Sequence, residues 1–144
     1  MTRSVTVLLV EDNVVDREGV RRAFAKHRIV NPVRDASDGI EALEILRGTA
    51  GQPPLPRPFL ILLDINMPRM NGVEFLRHLR ADDKLRDSVV FVLTTSKSEE
   101  DKIAAYDLNV AGYIVKDDVG TGFMRLMNLL DCYWRIVELP EDHP

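Results

Sequence analysis

FLILLDINMPRMNGVEFL (Phe59–Leu76) opens with five apolar residues in a row and turns polar at Asp64. An unbroken apolar run of that length marks a strand buried on both faces, as in a parallel sheet covered by helices. Asp64 sits where such a strand leaves the sheet. Asp64-Ile65-Asn66-Met67-Pro68 reads as the loop beyond it, with Asn71-Gly72 as a second turn signal. Gly72–Arg80 then reads as a short helix.

The same alternation extends in both directions. Upstream, Val5–Val10 reads as a strand and Asn13–Arg28 as a helix with Val14, Val15, Val20, Ala23 and Phe24 near helical spacing. Pro32–Ala36 is a weaker strand. Ser37 or Asp38 can cap a helix that runs through Arg47 with Ile40, Leu43, Ile45 and Leu46. Gly48–Pro58, with four prolines and two glycines, is a long loop. Downstream, Val89–Thr94 is a β-branched strand. Ser98 starts a helix whose first turn holds Glu99, Glu100 and Asp101, as the helix dipole favours. Ala111–Val115 is the last strand, Gly122–Val137 a long amphipathic helix, and residues 138–144 a polar tail. Five strands alternating with five helices predict an α/β fold with a five-stranded parallel sheet. Right-handed crossovers favour the doubly wound, flavodoxin-like strand order 2-1-3-4-5. The whole of 1–144 reads as one domain with its core at about 5–137.

Composition narrows the function classes. Apolar residues at 45% and charged residues at 29% fit a globular domain, and 144 residues suffice for a core without staples. The formal charge, 19 − 23 = −4, argues against a nucleic-acid partner. Cys132 is the single cysteine, so no intrachain disulfide can form, which fits a reducing compartment. No apolar run approaches the roughly 20 residues of a membrane span, and the N-terminus lacks the pattern of a signal peptide. A cytoplasmic protein with no membrane partner is expected.

In a parallel sheet, ligands bind beside the carboxyl ends of the strands. Three strands end there in charge: Glu11-Asp12 after the first, Asp64 after the third and Lys116 after the fifth. Neighbouring carboxylates repel unless a cation sits among them. Glu11 and Asp12 therefore read as holders of Mg²⁺, or of another divalent cation such as Mn²⁺ or Ca²⁺, with Asp12 binding directly, Glu11 partly through water, and the Asn66 backbone carbonyl adding a ligand. Asp64 reads as a nucleophile that accepts a phosphoryl group, with Lys116 and the Thr94 hydroxyl pairing with its oxygens. The plainer alternatives are a turn aspartate at Asp64, a helix cap at Glu11-Asp12-Asn13, an ordinary surface lysine at Lys116 and a half-buried aromatic at Tyr113. A cap would account for one polar group, not an acidic pair facing Asp64.

With VLLVEDN, LILLDINMPRMNGVEFL, VVFVLTTS and AGYIVK in that order and spacing, the chain resembles the receiver domain of two-component response regulators, of the chemotaxis-receiver type, over about 5–137. The TTS run and the long loop before the third strand are similar to single-domain regulators paired with phytochrome-type kinases. The resemblance implies a phospho-acceptor at Asp64, a Mg²⁺ site at Glu11, Asp12, Asp64 and Asn66, a hydroxyl at Thr94, an aromatic switch at Tyr113 and a lysine at Lys116. It also implies a sensor histidine kinase, such as a bacteriophytochrome, or a phosphotransfer domain as donor. Proline usually follows the lysine in this family; here Asp117 and Asp118 do. A cis bond without proline costs about 2.5–4 kcal/mol, so a trans bond is expected.

Phosphorylation would draw Thr94 and Lys116 inward, let Tyr113 turn in, and change the surface of helix four, strand five and helix five. That surface, with Trp134 and its neighbours in the C-terminal segment, is expected to form a symmetric homodimer. The expected function is signalling through protein contacts, without a DNA-binding output domain. A receiver-like scaffold independent of phosphate is the alternative. An aspartyl-phosphate phosphatase would want a second aspartate two residues after the nucleophile, and position 66 is Asn; no enzyme is expected beyond slow self-phosphorylation and dephosphorylation.

Overall fold

The computed structural model describes residues 5–26, 28–49, 51–95 and 98–115. The elements are β1 (Thr6–Val10), α1 (Val14–Lys26), β2 (Val33–Ala36), α2 (Gly39–Arg47), β3 (Phe59–Leu63), α3 (Gly72–Ala81), β4 (Val89–Thr94), α4 (Glu99–Asp107) and β5 (Gly112–Val115). Lys116, Asp117, the expected helix Gly122–Val137 with Trp134, and the tail 138–144 lie outside the described residues. The strands form one parallel sheet in the order β2-β1-β3-β4-β5. This is the doubly wound, flavodoxin-like arrangement expected from the alternation.

Side chains alternate across a strand, and each face of the sheet has its own core. Leu8, Val10, Ile61, Leu63, Val90 and Val92 meet Ala42, Leu43 and Leu46 of α2, Phe75, Leu76 and Leu79 of α3, and Ala105 of α4. On the other face Val7, Leu9, Leu60, Leu62, Phe91 and Leu93 meet Val20 and Phe24 of α1. Covered on both faces, β3 buries all five residues, which is why its sequence is apolar without a break. β2 lies at an edge and is half polar for the complementary reason.

The expected boundaries differ from the observed ones at a few places, each with a local cause. Helix α1 ends at Lys26, and Arg28 takes a left-handed φ of 56° beyond it. Pro32 precedes rather than joins β2, although its carbonyl accepts from the Val7 amide at 2.8 Å. Asp38, not Ser37, caps α2: its side chain accepts from the Glu41 amide, while the Ser37 hydroxyl donates to the Glu41 carboxylate at 2.6 Å. Asn71-Gly72 is no separate turn. Asn71 is the N-cap of α3 in a capping box with Glu74, and Gly72 is the first helical residue.

The 48–58 loop folds back on α2. Gly48 ends the helix at φ 74°, and a Cβ there would lie 2.5 Å from the Pro54 nitrogen. The loop then brings the buried Arg57 over the Phe59 ring, 4.9 Å from its centre, and onto Asp87 at 2.8 Å.

Candidate metal and phosphoryl-acceptor site

The ladder between β1 and its neighbours continues one residue past the strands. The Glu11 amide donates to Ala36 O and the Asp64 amide donates to Val10 O, both at 2.9 Å. The backbone thus fixes Glu11 and Asp64 side by side at the carboxyl edge. One carboxylate oxygen from each of Glu11, Asp12 and Asp64 lies within 4.8 Å of the others. Glu11 and Asp64 are buried, at 3% and 6% exposure, and Asp12 is exposed. At that separation two like charges repel by roughly 3 kcal/mol per pair at an effective dielectric of about 20. A set made only of oxygen donors suits Mg²⁺, Mn²⁺ or Ca²⁺ rather than a softer metal, so the residues fit a divalent cation.

Local turns aim these groups. Asp64 Oδ1 accepts from the Asn66 amide at 3.3 Å, closing an Asx-type turn over the strand end. Asp64 is thus a turn aspartate and a member of the acidic cluster at once. Glu11 Oε1 accepts from the Asn13 amide at 3.2 Å, and Arg17 donates to the Glu11 carbonyl at 3.2 Å. The capping role at α1 falls to Asn13, whose side chain accepts from the Asp16 amide at 3.0 Å. The side chain of Asp12, in the cluster, and Asn66, bonded through its amide to Asp64, are both exposed.

Thr94 is fully buried at the end of β4. Tyr113 pairs with Val92 in register and packs at the edge of the larger core. Because side chains two apart share a face, Thr94 and Tyr113 stand on the same side of adjacent strands. Val115, the last described residue of β5, pairs with Thr94 in register.

Gly72, where the sequence reading starts a helix, also belongs to this site, a role that reading did not give it. A Cβ there would meet the Asp64 carbonyl oxygen at 2.6 Å and the Ile65 Cα at 2.8 Å. The Gly72 amide also donates to Ile65 O at 3.0 Å. The loop that carries Asp64 closes onto a bare helix start, which only glycine allows. A glycine at the first position of a helix, where it brings no capping advantage, was the available signal.

Residues 7–122 match the response regulator receiver domain family. The chain belongs to that family. Response regulator Rcp1 of Synechocystis sp. is 33% identical over 135 residues, covering 93% of this chain and 92% of Rcp1. The structure of Mn²⁺-bound Rcp1 superposes with a TM-score of 0.82 at 33% identity, covering 94% of this receiver and 99% of that chain. The phosphorylated cyanobacterial phytochrome response regulator RcpA gives a TM-score of 0.82 at 31% identity, covering 96% and 100%. The bacteriophytochrome response regulator AtBRR gives 0.70 at 31%, covering 95% and 99%. The receiver groups with phytochrome-associated regulators along nearly its full length. Among its described residues no helix is long and apolar enough to cross a membrane.

Proposed function

We propose that this receiver accepts a phosphoryl group on Asp64 from a phosphohistidine of a sensor kinase or phosphotransfer domain. The observation that carries this reading is the cluster of Glu11, Asp12 and Asp64, with Asp64 held at a fixed strand end. An Asp64 carboxylate oxygen forms a bond to phosphorus as the phosphorus–nitrogen bond breaks, and that electron pair stays on the imidazole. A divalent cation held by Glu11, Asp12, Asp64 and the Asn66 carbonyl supplies positive charge that offsets repulsion from the incoming anion. Thr94 and Lys116 pair with the phosphoryl oxygens in this reading. Asn66 offers no carboxylate to serve as general acid, which favours a phosphoacceptor with slow self-dephosphorylation over a phosphatase.

The donor docks over the rim beside Asp12, where Val14 and Val15 stand 58% and 71% exposed at the start of α1. Likeness to phytochrome response regulators supports a bacteriophytochrome-type kinase in the cytoplasm as that donor. The signal leaves as Tyr113 and α4 rearrange, changing contacts with a second copy or another protein; Ile103 and Tyr106, exposed on α4, belong to that surface.

The test is intact mass and light scattering on the wild type and Asp64→Asn, with Mg²⁺ and acetyl phosphate. A phosphoryl mass gain confined to the wild type is expected, with a change in oligomer size. A gain of equal size in Asp64→Asn would move the acceptor elsewhere. No gain in either would leave a receiver-shaped scaffold.

A further inference from the structure

Three residues other than glycine hold a positive φ among the described residues: Arg28 at 56°, Arg69 at 65° and Asn109 at 62°. Arg28 and Asn109 follow the ends of α1 and α4, where a left-handed residue is an ordinary way to finish a helix. Arg69 follows no helix. It lies in the β3–α3 loop, just beyond Asp64 and Asn66. A left-handed backbone on a residue with a Cβ persists where its surroundings hold it there, and such residues concentrate at functional sites.

The start of α2 lies against this part of the loop. Arg69 Nε lies 3.0 Å from Asp38 Oδ2. The other oxygen of Asp38 accepts from the Glu41 amide at 2.9 Å, and the residue is only 4% exposed. The next residues are tied to the same place: the Gly39 amide donates to Met70 O at 3.2 Å, and a Cβ on Gly39 would strike Met70 at 2.8 Å. A buried carboxylate is costly unless it is paired and hydrogen-bonded, and Asp38 is both. The Arg69 side chain is 61% exposed, so the pair adds little to global stability. Its consequence is local, in the conformation of the loop that presents Asp64 and Asn66.

We propose that Asp38 and Arg69 are a positioning pair for the acceptor loop. The carboxylate that caps α2 holds Arg69 in its left-handed conformation and so sets where Asn66 and Asp64 stand relative to Glu11 and Asp12. Neither residue belongs to the acidic cluster; both act through the loop. This inference rests on the metal-assisted acceptor reading above, and its first readout is metal affinity, which does not require phosphorylation.

The experiment titrates Mn²⁺ into the full chain by calorimetry, for the wild type, Arg69→Ala, Arg69→Lys, Asp38→Asn and the double variant Asp38→Asn/Arg69→Ala. Thermal unfolding and the rate of phosphorylation by acetyl phosphate are recorded in parallel. Arg69→Ala should weaken Mn²⁺ binding about tenfold, as residues that orient metal ligands do, with little change in unfolding midpoint. Arg69→Lys should restore part of the affinity, and the double variant should be no weaker than the poorer single one. Arg69→Ala is at an exposed side chain, so the test survives if Asp38→Asn fails to fold. Affinity within about twofold of wild type in Arg69→Ala, or losses in the double variant that multiply, would overturn the pair. So would an affinity loss that merely follows a lower unfolding midpoint. Mn²⁺ binding that depends on Arg69 in a protein never phosphorylated would keep the pair and sink the acceptor reading. A wild type that binds no Mn²⁺ would sink both.

Discussion

Helix α3 buries Gly72, Val73, Phe75, Leu76 and Leu79, whereas α4, nine residues to its ten, buries Ala105 alone. Both follow a strand that ends in a candidate site residue, Asp64 for α3 and Thr94 for α4, and both are capped by a side chain, Asn71 and Ser98. They differ in what holds them down. The acceptor loop rests on a helix bolted to the core by large side chains. The helix beyond Thr94 is held by little apolar area, and mainly at its far end. There Arg80 of α3 donates to Leu108 O at 2.7 Å and Asn109 O at 3.0 Å, and to Arg86 O and Ser88 O at 2.7 Å each. Burial draws the Arg80 pKa below its ordinary value, opposed by the nearby charge of Asp87, but guanidinium remains charged. Regions with few buried apolar contacts open at low free-energy cost, and elements that respond to signals come from that end of the range. The proposed cation site and the proposed signalling surface thus have unequal anchoring.

Truncating the bolt should do the most damage. Phe75 is fully buried, and Phe75→Ala should cost about 3–5 kcal/mol in denaturant unfolding; a loss below about 1 kcal/mol would remove the contrast between the helices. Next is the clasp. Arg80→Met leaves four carbonyls without this donor and should cost about 2 kcal/mol. Amide exchange should also quicken in α4 more than in α3; equal change in both would show that Arg80 holds the fold generally rather than the end of α4. Removing the α4 cap with Ser98→Ala should cost about 1 kcal/mol or less, read as a small fall in midpoint, since the helix contributes little to the core. Smallest of all, Ile103→Ser on the exposed face of α4 should change stability by no more than about 0.5 kcal/mol. A larger loss would mean that Ile103 is covered in solution, which light scattering of the same variant would reveal as a change in assembly.

The legible parts were those set by local pattern. FLILL declared a strand covered on both faces, because burial on both sides removes the polar alternation that an exposed face imposes. Glu11-Asp12 and Asp64 could be brought together from sequence because parallel strands in a right-handed doubly wound sheet end on one edge. Other features carried little local signal. Gly72 was read as the helix start, but not as the residue that makes room for the Asp64 carbonyl. Arg57, a charged residue in a proline-rich loop, is buried against Phe59 and Asp87. In α4 the more apolar Ile103 and Tyr106 face outward while the small Ala105 packs inward, contrary to what hydropathy alone suggests.

By itself the sequence determined the strand count, their order and the chemistry gathered at one edge, since these follow from periodicities of two and 3.6 residues and from the handedness of crossovers. Only the tertiary structure decided which residues hold that edge in shape. Asp38 and Arg69, Gly39 and Met70, Gly72 and the Asp64 carbonyl, and Arg80 and the end of α4 lie on different elements. No local pattern encodes such pairs, because each distance depends on how whole elements pack against one another.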